Sequence, residues 1–297
     1  MSNKTKAVIC ILGSGFCFSL MTVFIRLASD VPLMERTMFR NLIAAVLTFF
    51  ILLKSKSGFR IGKGSVKYLL ARSIFGTVGM VCNFYAVDHL LLSDANMLNK
   101  LSPFFAILAS YFLLKEKLKP MQIIGVVVAF LGSLLIIKPS GSAGMDLVPS
   151  ILGVIGGVGA GIAYTFVRLL GTRGENSKMV VFFFSAFSCI SLLPFVIATY
   201  KPVSEIEFLY LCATGICACG GQLCITQAYT YAPAREISVY DYAQVIFSSA
   251  FGFFFFAQVP DGYSILGYFI IIGMAVLMFL YNNGKLGGKV YENKQHL

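Results

Sequence analysis

The stretch from Gly13 to Leu27 reads GSGFCFSLMTVFIRL, and the stretch from Ile155 to Leu169 reads IGGVGAGIAYTFVRL. Laid over each other at an offset of 142 residues, they place Gly15 on Gly157, Phe24 on Phe166, Arg26 on Arg168 and Leu27 on Leu169. The same offset carries Gly79 onto Gly221, Ala86 onto Ala228, Phe105 onto Phe247 and Gly125 onto Gly267. One offset that serves four separated stretches marks a duplicated unit. Each copy holds five apolar segments, and an odd number of crossings turns the second copy upside down in a bilayer. Inverted repeats are how many secondary transporters build one midplane site that opens to either side in turn. The fold class that follows is all-α and integral to the membrane, with ten transmembrane helices in two inverted five-helix repeats.

Composition supports lipid as the solvent. Of 297 residues, 58% are hydrophobic and only 12% are charged, with a mean hydropathy of +0.82. A soluble core of this size has no need of so much apolar surface. A helix crossing the hydrocarbon core takes about 20 apolar residues. Such stretches fall at 7–27, 36–53, 66–86, 94–114, 120–137, 149–170, 178–199, 206–229, 236–256 and 263–281. Runs such as Phe251 to Phe256 do not alternate in polarity, which excludes barrel strands. The repeats therefore divide as 7–137 and 149–281, with 282–297 as a cytoplasmic tail. The first apolar run follows Lys4 and Lys6 like a secretory signal, but it is long enough to span and is read as a retained helix.

Orientation follows from the basic residues. With the N-terminus in the cytoplasm, seventeen of the 24 lysines and arginines lie on the cytoplasmic side, among them Lys54, Arg60, Lys63, Lys67, Arg173 and Lys178. The opposite loops hold Lys138 and Lys201. Both termini are thus expected inside, at the inner cell membrane, with the connector from Lys138 to Pro149 outside. The net charge of +11 comes from these connectors and does not indicate nucleic acid. The eight cysteines fall in apolar segments, where they act as small buried hydrophobes. With His89 and His296 as the only histidines, neither a metal nor a cofactor is expected.

Further residues carry a family resemblance: Leu101-Ser102-Pro103-Phe104-Phe105, then Leu114-Lys115-Glu116-Lys117-Leu118, and in the second copy Ala228-Tyr229, Ala232-Pro233-Ala234, Asp241-Tyr242 and Pro260-Asp261. The pattern resembles the drug/metabolite transporter superfamily in its EamA-type branch, from about residue 7 to 281. The second set is similar to the subset that includes S-adenosylmethionine and amino-acid or metabolite carriers. The chain departs where the family often has Gly-Glu: here stand Lys115-Glu116 and Ala257-Gln258. The resemblance implies a ten-helix basket in which spans one, three, four, six, eight and nine surround a central cavity. It implies transport driven by an ion gradient or by exchange. No G-x-x-x-x-G-K-[ST] phosphate loop is present.

Charge within a span costs about 2.5–3.5 kcal/mol at mid-helix, so each such residue needs a reason. Asn96 and Lys100 are four apart and share a helix face with Asn99 nearby, a polar wall suited to a carboxylate. Asp241 is the repeat partner of Asn99, Tyr242 of Lys100 and Gln244 of Ser102. Asp241 is read as the partner of a substrate ammonium or the carrier of a coupling proton, with a salt bridge to Arg72 as its structural alternative. Arg72 is a second candidate, whereas Arg40 on span two is read as structural. Asn83, Tyr85, Gln222 and Gln227 supply neutral hydrogen bonds or interhelical glue, and Tyr164 an aromatic wall. Glycines line spans one and six, where they allow either close packing or bending.

The function read from this is secondary active transport of a small polar metabolite of amino-acid, amine or carboxylate type, by alternating access. Its partners are that substrate, the lipid bilayer and a coupling proton or counter-substrate; oligomeric state is left open. An exporter of lipophilic cations is the nearest alternative. Its small four-helix relatives rely on a glutamate in their first helix, and 7–27 contains no acid. A membrane-embedded enzyme would need clustered histidines or carboxylates, which two scattered histidines do not provide.

Overall fold

The computed structural model describes residues 3–55, 58–115, 120–137, 147–231 and 238–282. The helices are α1 (Asn3–Leu27), α2 (Leu33–Leu53), α3 (Val66–His89), α4 (Leu92–Asn99), α5 (Ser102–Leu114) and α6 (Pro120–Ile137) in the first copy. The second holds α7 (Leu147–Thr172), α8 (Ser177–Thr199), α9 (Glu205–Tyr231), a 3-10 turn (Ser238–Tyr242), α10 (Ala243–Phe256) and α11 (Gly262–Asn282). Among the described residues, nine helical segments are long and apolar enough to cross a membrane, and α4 with α5 makes the remaining crossing in two pieces. The expected connector at 138–146, the tail at 283–297, and the motif residues Glu116, Lys117, Leu118, Ala232, Pro233 and Ala234 lie outside the described residues.

Large apolar side chains cover the outside. Phe254 is 78% exposed and Phe112 74%, values a water-soluble surface does not sustain across a whole perimeter. Polar groups are drawn inward instead: Arg40, Arg72, Asn96, Lys100, Asp241 and Gln244 are all buried.

The packing obeys the repeat. In the first copy α1 lies on α9, and its counterpart in the second is α7 on α3; α2 packs on α8 and α6 on α11. Likewise α5 lies on α7 as α10 lies on α1. Close approach needs missing side chains at the α3–α7 crossing. A Cβ on Gly159 would sit 2.8 Å from Gly79 Cα and 2.8 Å from the Phe75 carbonyl oxygen, so backbone meets backbone there. At this crossing the glycines pack closely.

The fourth span, expected as continuous over 94–114, is broken at Lys100 and Leu101. Pro103 explains it. Proline has no N–H to give the Asn99 carbonyl and its ring would strike that carbonyl, so the chain restarts with Pro103 in the first turn of α5. The ninth span breaks at the matching place without a proline: its first residues form the 3-10 turn, and α-helix begins at Ala243.

Both half-helices also end alike. Lys115 (φ 54°) and Ala257 (φ 52°) are the non-glycine residues with positive φ among the described residues, each caps its helix, and they are repeat partners. The left-handed cap favours glycine, which accounts for the glycine the family often carries there. Gln258 beside it accepts the Leu92 N–H at 3.0 Å, capping the first turn of α4 with an amide oxygen where the family that the sequence resembles often has a carboxylate.

Candidate functional site

The two helix breaks face each other, and the polar candidates meet there. Lys100 Nζ lies 2.7 Å from Asp241 Oδ2, both side chains 3% exposed or less. Tyr242 Oη donates to the Lys100 carbonyl oxygen at 3.0 Å. Gln244 Nε2 donates to Asn96 Oδ1 at 2.8 Å, and Asn96 Nδ2 donates to the Leu92 carbonyl at 2.8 Å. Ser19 on α1 donates to the Gln244 carbonyl at 2.9 Å, which fixes the start of α10 against the first repeat. A helix break exposes backbone carbonyls that need such donors. Lys100 thus pairs with Asp241, and the expected Arg72–Asp241 alternative is not formed.

A second group lies across the centre. Arg72 on α3 places its guanidinium carbon 3.6 Å from the ring centroid of Phe184 on α8, and Nη2 donates to Gln222 Oε1 at 3.4 Å. Arg40 on α2 lies over the same ring at 5.7 Å and donates to Asn41 Oδ1 at 2.6 Å. Arg40 is 2% exposed and Arg72 3%, and no carboxylate pairs with either among the described residues. Arg40 Nε, Arg72 Nε and Arg72 Nη1 are buried without a hydrogen-bond partner. The half-buried Tyr164 on α7 lies within electrostatic reach of both arginines and of Asp241.

Similarity to known proteins bears on this arrangement. The EamA-like transporter family matches residues 5–138 and again 148–280. The chain belongs to the EamA-like transporter family. Its relatives include the pseudopaline exporter CntI of Pseudomonas aeruginosa (strain UCBPP-PA14), 31% identical over 91% of this chain and 94% of that protein. Solute carrier family 35 member G1 of Homo sapiens is 26% identical over 89% of this chain and 76% of its own length. A crystal structure at 18% identity superposes with a TM-score of 0.66, covering 95% of this chain and 99% of that one, which shows a shared fold. The protein is a multi-pass membrane transporter, not an enzyme.

In this EamA-type chain the remaining candidates divide. Asn83 is buried on the Arg72 face of α3, with its Oδ1 free of hydrogen bonds. Gln222 joins Arg72 directly. Asn99 and Gln227 are half-buried. Tyr85 stacks on His89 with centroids 4.2 Å apart, at the far end of α3 from Arg72. Arg36, bonded to Asp88 through both guanidinium Nη atoms and to the Ile25 carbonyl at 2.8 Å, ties α1, α2 and α3 at that end.

Two central residues were not among the expected ones. These are Arg40, expected to be structural, and Phe184, which nothing in the sequence singles out. Both sit on spans two and seven, which the resemblance left out of the cavity wall. For Arg40 the signal was available, a charge four or five residues inside a span; for Phe184 the sequence offers none. A largely apolar groove of about 380 Å³ between α2 and α9 is lined by Leu47, Phe50, Ile216 and Leu223 among others, with Lys54 as its charged lining residue.

Proposed function

We propose that this protein is a secondary carrier that moves a small polar metabolite of amino-acid, amine or carboxylate type by alternating access, with both termini in the cytoplasm. One observation carries the reading: the breaks of both repeats meet at a buried Lys100–Asp241 pair, beside further buried charges. Ionisable groups are retained in such a place where a pathway needs them. The side chains divide by sign. Arg40 and Arg72 offer donors to a negative group, while Asp241 Oδ1 and Asn83 Oδ1 offer free acceptors to an ammonium or hydroxyl. Substrate contact with either member of the Lys100–Asp241 pair would loosen the join between the repeats, which is where a rocking motion needs a latch. The relative named as an exporter supports outward movement. Two buried arginines disfavour lipophilic cations as cargo.

The test is transport by purified protein in liposomes. A labelled member of a panel of amino acids, amines and carboxylates should enter along a proton or substrate gradient. Failure of the whole panel would contradict the carrier reading.

A further inference from the structure

We infer that Arg40 and Arg72 form the two halves of a binding site for a small organic dianion, a dicarboxylate on a short carbon skeleton. This rests on the carrier reading and names its substrate class.

Two guanidinium groups lie over one phenyl ring, at 3.6 and 5.7 Å from its centroid, and neither has a carboxylate partner among the described residues. Among the described residues, the titratable groups near enough to act on Arg40 are Tyr164, Cys189 and Cys219, and on Arg72 they are Tyr164 and Arg40 itself. None brings a negative charge at neutral pH. Burying two like charges is costly, and the ring's π-face offsets only part of that cost. The protein therefore carries two positive charges that a ligand must complete. A single carboxylate neutralises one of them; two carboxylates neutralise both.

The site is also shaped. A Cβ on Gly76 would lie 2.6 Å from Arg72 Nη1 and 3.0 Å from Phe184 Cε2, so the missing side chain makes the space in which guanidinium and ring meet. Ser188 donates to the Phe184 carbonyl at 2.8 Å and lies 2.6 Å from Thr77 Oγ1, which fixes α8 against α3 beside the ring. Arg72 is further held by Gln222, leaving Nε and Nη1 for a ligand. Guanidinium groups bind carboxylates through paired N–H bonds, and a fixed orientation strengthens that binding.

The experiment is binding to the full chain purified in detergent. Labelled succinate is the probe, competed by malonate, butyrate, putrescine and inorganic phosphate. Succinate should bind saturably, malonate should displace it, and butyrate and putrescine should need at least a hundredfold higher concentration. Arg40→Gln and Arg72→Gln should each weaken succinate at least tenfold, and Arg40→Lys should recover part of the loss. Gly76→Ala should weaken it, because a Cβ there displaces the Arg72 Nη1 end and presses on the Phe184 ring. If a variant does not fold, the competition series on the wild-type protein decides. Butyrate equal to succinate, phosphate displacing it as well as malonate does, or no succinate binding by folded protein would overturn the dicarboxylate site. Transport of an amine or a neutral solute alongside that failure would leave the carrier reading standing.

Discussion

Tyr242 donates its hydroxyl proton to the main-chain carbonyl of Lys100 at 3.0 Å, and the two residues occupy the same position in their repeats. The sequence separation of that bond is 142 residues, the offset of the duplication itself. The pseudo-twofold axis therefore passes close to this contact, and the Lys100–Asp241 pair lies beside it. Tyr242→Phe removes one buried hydrogen bond at the join and should lower stability by about 1 kcal/mol. Thermal unfolding in detergent measures it, and a variant as stable as wild type would show that the join does not depend on this bond.

The buried pair answers differently to single and double replacement. Asp241→Ala strands the Lys100 ammonium and should cost about 3–5 kcal/mol, whereas Lys100→Met with Asp241→Leu removes both charges and should restore most of it. Stability without transport in the double variant would separate the pair's role in function from its role in folding. A double-mutant cycle on melting and uptake together gives both numbers.

Arg40 lacks a counter-charge, so removing it should help the empty protein. Arg40→Leu should raise the melting temperature of the ligand-free form, the opposite sign from Asp241→Ala. A lowered melting temperature would mean that Arg40 is satisfied in some way its surroundings do not display.

The left-handed caps give a conformational prediction. Ala257→Gly relieves a Cβ at φ 52° and should stabilise by about 1 kcal/mol. Its converse lies at the α3–α7 crossing. Gly159→Ala drives a Cβ into backbone and should cost about 1–3 kcal/mol. Gly171→Ala meets nothing within 4 Å and should be neutral or slightly stabilising. Denaturation of the three variants in one detergent distinguishes them.

Much of the fold was legible because its signals are local or periodic: apolar length, and an offset that recurs. The break at Lys100 was readable in part, since Pro103 was in view; the matching break before Ala243 was not, because a 3-10 turn leaves no residue signature there. The centre was half legible. Asn96, Lys100, Asp241, Tyr242 and Gln244 do converge, because they flank the matching breaks of the two repeats, which face each other. Which charge pairs with which depends on how helix faces are rotated, and no single span encodes that. Asp241 met Lys100 instead of Arg72 for this reason, and Arg40 joined Arg72 through a ring on α8 that only packing brings between them.

Alternating access through one shared site is best measured by counterflow. Liposomes holding the purified protein and loaded with a high concentration of unlabelled substrate should take up the labelled form faster than empty ones, with a transient accumulation above the outside concentration. Uptake whose rate and level ignore the substrate inside would contradict a carrier with a single site exposed to one side at a time.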